Sequence, residues 1–325
     1  MGRELSRRGF LVGTTVVAGT GFGLGLWRRH RREGRALKAF KAPDLRAADP
    51  LIGRGKVLVA RGEEPGDNVR RALEKAGGIE KLVSPGDRVV IKPNMAWELP
   101  PAQGANANPQ TVAALVELCK EAAGPGGRVV VFDRTMSRDP SGPYRASGIA
   151  EAVRAAGGIV HYVDEGRFRE MAIPEAFAVE RWPFYEMVLF ADEADVLINV
   201  PCAKTHSTSG LTLGMKNVFG MVGGERGQLH QQIHQKIADL NRVVRVDLTV
   251  LDASRVMFRN GPNSPRRSDV YDGPERAQRI AISTDPVAVD AYGATLFEQA
   301  PDDVGFVRRG HEAGLGEKDF ELTEA

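Results

Sequence analysis

At 325 residues, with 42% apolar and only 6% aromatic content, the chain is long enough to bury one large core or two modest ones, and it is too apolar for a disordered segment. Its formal charge of +2 is the small difference between 44 basic and 42 acidic residues. Much of the basic excess falls in the first 46 positions, so the remainder gives no support to nucleic-acid binding.

The N-terminus reads as an address. Ser6-Arg7-Arg8-Gly9-Phe10-Leu11, followed by an uncharged, glycine-rich run to Trp27, matches a twin-arginine export signal over residues 1–34. The expected destination is the periplasm or the outer face of the inner membrane, with the twin-arginine export machinery as a partner. No small-x-small cleavage site follows Trp27, and residues 10–27 make an apolar stretch of about 18 residues, enough for a retained membrane anchor. A basic linker over 35–54 leads into a single α/β domain over 55–325, with two lobes as an open alternative.

The domain alternates short β-branched runs with helical patterns. Strands are predicted at Lys56 to Ala60, Arg88 to Lys92, Arg128 to Asp133, Ile159 to Asp164, Val196 to Val200, Leu248 to Asp252 and Arg279 to Ser283. Helices are predicted at Asp67 to Ala76, Pro109 to Ala123, Ala146 to Ala156, Gln228 to Val244 and Pro286 to Glu298. The alternation predicts a largely parallel sheet with helices on both faces, in Rossmann-like layers. There is no dinucleotide fingerprint, because Gly21 to Gly25 lies inside the export signal, and Gly210 to Asn217 lacks the Walker spacing.

In such a sheet the carboxyl ends of the strands share one edge, where ligands bind. Lys92-Pro93-Asn94, Asp133, Asp164, Asn199 to His206, Asp252 and Ser283-Thr284-Asp285 all stand at predicted strand ends. Each aspartate also has a plain reading as a turn or cap, and Asp285-Pro286 has the form of an N-cap followed by proline at the first helical position. Asn199 to Gly224 is the densest segment, an irregular, glycine-punctuated stretch carrying Lys204, Thr205, His206, Lys216 and Asn217. Lys92, Lys204 and Lys216 stand beside apolar or glycine-rich sequence, so each needs a partner, and a bound anion would supply one. Asn94 and Asn217 would orient that ligand, and a mobile glycine loop at Gly220 to Gly227 would bring Arg226 to it. His206 and His230 are candidates for proton transfer together with Lys204 and Lys216. Asp252, Asp285 and Asp290 would orient those groups or bind a divalent cation. His230 and His234, four apart on one predicted helix, form a candidate site for a divalent metal. Cys119 and Cys202 cannot by themselves ligate an iron–sulfur cluster.

These pieces resemble the domain-of-unknown-function family 362. The likeness runs through Ile91-Lys92-Pro93-Asn94, Asp195 to Pro201 with Lys204-Thr205-His206, and Leu213 to Gly220. It continues through His230, Asp239, Asp252 and Ser283 to Asp290, covering most of the chain from Lys56 to Ala300. Some relatives add ferredoxin-like cysteine clusters; this chain has none, so electron transfer through its own clusters does not carry over. The resemblance implies that Lys92, Asn94, Lys204, His206, Lys216, Asn217, His230, Asp252, Asp285 and Asp290 belong together. The leading expectation is an exported enzyme acting on a small anionic molecule. The rivals are a non-catalytic anion- or metal-binding protein and a redox component that works with an iron–sulfur partner.

Overall fold

The computed structural model describes residues 51–190 and 192–325. The export signal and most of the linker lie outside the described residues. No helix among the described residues is long and apolar enough to cross a membrane.

Thirteen strands are described: β1 (Lys56–Arg61), β2 (Arg88–Pro93), β3 (Arg128–Val131), β4 (Ile159–Val160), β5 (Phe168–Ala172), β6 (Arg181–Tyr185), β7 (Val196–Val200), β8 (Cys202–His206), β9 (Gly210–Thr212), β10 (Leu248–Met257), β11 (Val270–Tyr271), β12 (Arg279–Ser283) and β13 (Glu321–Glu324). The main sheet runs β13-β1-β12-β10-β7-β2-β3-β4, and β5 and β6 pair separately. The fold is mixed α/β. Along β10, β7, β2, β3 and β4 every pairing is parallel. The β-branched runs suit strands covered on both faces: Val57, Val59, Val90, Val130 and Leu197 enter one core, whereas Leu58, Ala60, Val89, Ile91 and Ile198 enter another. Helices α1 (Pro65–Lys75) and α2 (Pro109–Ala123) contribute Val69, Leu73, Val112 and Leu115 to the second core. Asn108 caps α2 by accepting from Gln110 N at 3.1 Å, and the proline that follows fills a position that needs no donor.

One strand breaks the parallel pattern. β12 runs antiparallel to both β1 and β10, so its carboxyl end lies at the opposite edge from those of β2, β3 and β7. Asp285 is therefore carried away from the other strand-end residues. Its carboxylate caps the helix Pro286–Thr295 by accepting from Val287 N and Ala288 N, both at 2.9 Å, and it also accepts from Gly55 N and Glu317 N. The cap reading of Asp285-Pro286 describes what the residue does.

The segment after β7 is more regular than the expected irregular stretch. Pro201 separates β7 from β8, which pairs with the distal half of β10 and turns back through β9. This hairpin projects Lys204 and His206 beyond the sheet edge. A single helical turn, Gly214–Asn217, follows and is succeeded by a 3-10 turn at Val218–Met221. The expected helix Gln228 to Val244 is instead a 3-10 turn, Arg226–His230, and a separate helix, Ile233–Asn241. Between them Gln232 adopts a left-handed conformation with φ of 52°, which ends one screw axis and starts another.

Candidate functional site

The parallel register places Lys92 opposite Asn199 at the carboxyl ends of β2 and β7, with Asp133 just beyond β3. Buried polar and charged side chains cluster here. Beside them lies a cavity of about 310 Å³, whose walls include Lys92, Arg134, Lys204, Lys216 and Arg226 against one carboxylate, Asp133. Its remaining walls include Trp97, Met136 and Phe219, so a strongly cationic interior is set beside an apolar face.

The three lysines hold unequal positions. Lys92 is only 1% exposed. It donates to Asn217 Oδ1 at 2.6 Å and faces Asp133 Oδ1 at 3.0 Å, at an angle outside hydrogen-bond geometry, so that attraction is chiefly electrostatic. Burial nevertheless holds its ammonium below the ordinary lysine range, against the opposing pull of Asp133. Lys204, also 1% exposed, donates to Asn94 Oδ1 at 2.9 Å and to the Ala105 carbonyl; burial lowers it as well. Lys216 makes neither a hydrogen bond nor an ion pair among the described residues. Its Nζ lies 4.9 Å from the centre of the Phe219 ring, a cation–π contact. Burial first, and then Lys204, Arg226 and Lys92, bring it from 10.5 to about 7.

Three asparagine amides join the lysines. Lys204 donates to Asn94 Oδ1, Asn94 Nδ2 donates to Asn217 Oδ1 at 2.9 Å, and Asn217 Nδ2 donates to Asn199 Oδ1 at 2.8 Å. Asn199 Nδ2 completes the chain on the Gly214 carbonyl at 2.9 Å. Asn94 Oδ1 and Asn217 Oδ1 accept from Lys204 and Lys92, and Asn199 Oδ1 accepts from Asn217, so the amide dipoles offset part of the buried positive charge. Asp290 fixes the far end: its carboxylate accepts from Gly214 N at 2.6 Å and Met215 N at 2.8 Å, at the start of the turn carrying Lys216 and Asn217. Burial raises Asp290 to about 7.

His206 and His230 both border the cavity, and their rings stack with centroids 5.7 Å apart. His206 Nδ1 accepts from Thr208 N at 3.2 Å and lies 3.4 Å from Ser209 N, which fixes the proton of a neutral ring on Nε2. Burial, reinforced by Lys216 and His230, pushes His206 down to about 3, so it is neutral at physiological pH. His230 Nδ1 lies 3.2 Å from the Arg226 carbonyl, an acceptor only; Nδ1 therefore carries the proton, leaving Nε2 of the neutral ring as an acceptor. The two imidazoles thus present opposite hydrogen-bonding characters.

Several expected residues act at one remove. Arg226 is tethered in this structure: its guanidinium donates to Arg134 O at 2.9 Å, Thr135 O at 2.7 Å and Phe219 O at 3.3 Å. It latches the glycine segment onto the β3 end, contributing charge to the cavity while its Nη hydrogens are spent on three carbonyls and the Met136 sulfur. Thr205 accepts from Gly261 N at 3.0 Å and so places Pro262 and Asn263 against the cavity. Asp252 binds Asn108 N and Ser254 N at the base of α2. Asp164 caps a separate turn by accepting from Gly166 N. His234 is not a partner of His230: the break at Gln232 removes the spacing of four along one helix, and its ring stacks on Phe306 beside Arg308 and Arg309. Among the described residues, no group of three or more His, Cys, Asp or Glu side chains is arranged to hold a metal ion. Cys119 and Cys202 are buried free thiols.

Asp133, Trp97 and Phe219 were absent from the expected set. Asp133 had a strand-end signal that reads equally as a turn. The aromatics carried none, because a lone aromatic near a glycine looks like ordinary core.

Residues 89–295 match the family described as "Domain of unknown function (DUF362)", and the chain belongs to that family. A curated relative from Synechocystis, "Thylakoid-associated protein sll1697", is 26% identical over 264 residues, covering 79% of this chain and 77% of its own. A solved structure from Thermotoga maritima aligns over 59% of this chain and 51% of its own, at 11% identity and a TM-score of 0.37.

Proposed function

We propose that this member of the DUF362 family is an enzyme that takes a small anionic molecule into the cavity at the carboxyl edge of a Rossmann-like layered sheet and moves protons on it. The observation that carries the reading is Lys216, a nearly buried ammonium, 8% exposed, without an acceptor among the described residues and facing a cavity with five cationic side chains and one carboxylate. An uncompensated charge in that position is costly unless a ligand supplies the counter-charge. Lys92, Lys204 and the asparagine chain preorganise the site, and Arg226 deepens the positive potential. The opposite hydrogen-bonding characters of His206 and His230 suit His206 to donate a hydrogen bond to the ligand and His230 to accept a proton from it.

Anion binding should depend on pH with a definite sign. Lys216 must be protonated to act as a cation, so affinity rises as pH falls through about 7 and weakens above it. Titration of oxalate, which stays a dianion across this range, followed by Trp97 fluorescence with Trp97→Phe as the control, should show binding about tenfold tighter near pH 6 than near pH 8. Lys216→Ala should lose it. Binding indifferent to both pH and Lys216 would remove the basis of the reading.

The reading extends to the protein's location. The paired Arg7 and Arg8 ahead of an uncharged apolar run support twin-arginine export, with residues 10–27 as a retained anchor. Exchanging both arginines for lysine should trap the full chain in the cytoplasm on cell fractionation; unchanged export would refute this address.

A further inference from the structure

The three buried lysines differ in what surrounds the nitrogen. Lys92 and Lys204 have their protons engaged by side-chain and backbone oxygens. Lys216 faces the cavity with none engaged among the described residues and an aromatic ring against its Nζ. A site that needs only a fixed positive charge is better served by arginine, which stays protonated and offers a planar fork. Lysine at the single unpartnered position offers what arginine cannot, an electron pair when deprotonated. Three cations that do not react, Lys92, Lys204 and Arg226, oppose its charging, an arrangement that activates amine nucleophiles. Near neutrality this leaves a substantial fraction of free amine.

Building on the anion-site reading above, we propose that Lys216 Nζ is a nucleophile that condenses with the carbonyl carbon of a small 2-oxo acid to form an imine. The cationic surroundings select a carboxylate, and the amine requires an electrophilic carbon beside it. A 2-oxo acid combines both in the fewest atoms and fits a cavity of about 310 Å³, with Phe219, Trp97 and Met136 available to its carbon chain.

The step balances within the site. The Nζ lone pair forms the C–N bond as the carbonyl π pair moves to oxygen. His230 Nε2 accepts the proton lost by nitrogen and returns it to that oxygen, giving the carbinolamine, while the Nε2–H of neutral His206 donates a hydrogen bond to the oxygen and keeps its proton. The second proton on nitrogen passes by way of His230 Nε2 to the hydroxyl, the nitrogen lone pair forms the C=N bond as the C–O bond breaks, and one water departs. No electrons are gained or lost, and hydrolysis reverses the sequence. The stacked contact between the imidazoles and the push of Lys216 on His206 place the three groups in one neighbourhood.

The test is reductive trapping on the full chain. Pyruvate, phenylpyruvate and 2-oxoglutarate are each incubated with the protein and cyanoborohydride, and peptides are mapped by mass spectrometry. At least one acid should label the peptide containing Lys216 in preference to surface lysines, and Lys216→Arg should lower that labelling about tenfold or more. A thermal melt of the variant checks that it is folded, and mapping on the unsubstituted chain does not depend on it. Lactate, which has the carboxylate but no carbonyl, is titrated in parallel by Trp97 fluorescence. Lactate binding without Lys216 labelling by any of the three acids overturns the nucleophile and leaves the anion site standing. Neither binding nor labelling overturns both.

Discussion

Replacing Lys216 with methionine should make the protein more stable while removing its anion site. The side chain keeps its place against Phe219, but the buried, unpartnered charge disappears. The sign follows from linkage. Lys216 is lowered from 10.5 in the ordinary state to about 7 in the fold, so between those values the unfolded chain binds more protons than the native one. Its charge therefore costs stability in full below about pH 7, and the cost fades as pH rises toward 10.5. Each tenfold loss of proton affinity on folding is worth roughly 1.4 kcal/mol, so the full penalty is on the order of a few kcal/mol. Urea denaturation at about pH 6.5 should show a gain of that order for Lys216→Met, shrinking strongly by about pH 9.5. Gain of stability with loss of binding is the signature of a residue kept for function. A loss of stability at the lower pH would instead make Lys216 a structural residue.

What the sequence revealed and what it hid divide along physical lines. The runs Val89-Val90-Ile91 and Val196-Leu197-Ile198 announce strands covered on both faces, and β2 and β7 lie there. Their polar ends, Lys92 and Asn199, therefore had to emerge at a shared edge once the strands were parallel. Strand direction is not written in a short apolar run. Arg279 to Ser283 looks like its neighbours yet runs the other way, which sends Asp285 to the opposite edge.

The His230 and His234 pair failed for a related reason. Helical periodicity on either side of Gln232 is continuous in sequence, and only the left-handed residue reveals that the axis changes. β8 was hidden because its period-two alternation is carried by Cys202, Lys204 and His206, residues that a hydrophobic pattern does not count. The asparagine chain is invisible for a deeper reason: Asn94, Asn199 and Asn217 meet only through tertiary contacts, and each alone has the composition of a turn. Sequence thus supplied the cations, while their ranking into two tethered lysines and one open lysine required coordinates.

Gly220→Ala should disable the same site by a different route, at a large cost in stability. Gly220 is outside the positive-φ set, so alanine is compatible with its backbone and any penalty is steric. A Cβ there would overlap Asp133 Oδ1 outright and stand 2.5 Å from Lys92 Cε and 2.7 Å from Lys92 Nζ. Lys92 has a flexible stem, but it is 1% exposed and held by Asn217, and Asp133 is held through Met95 N at 2.7 Å. Neither group can retreat without giving up its hydrogen bond. The methyl therefore acts as a wedge in a buried ion pair, and separating such partners costs about 3–5 kcal/mol. Because Asn217 is shared with Asn94, displacement of Lys92 also disturbs the asparagine chain that orders the turn bearing Lys216. Both the denaturation midpoint and anion affinity should fall in Gly220→Ala. The cause is separable by a double-mutant cycle: after Asp133→Ala has removed the carboxylate, adding Gly220→Ala should cost at least about 1 kcal/mol less than in the unsubstituted protein. Equal costs in the two backgrounds would show that the wedge does not act on Asp133, and Gly220 would then owe its place to something other than the ion pair.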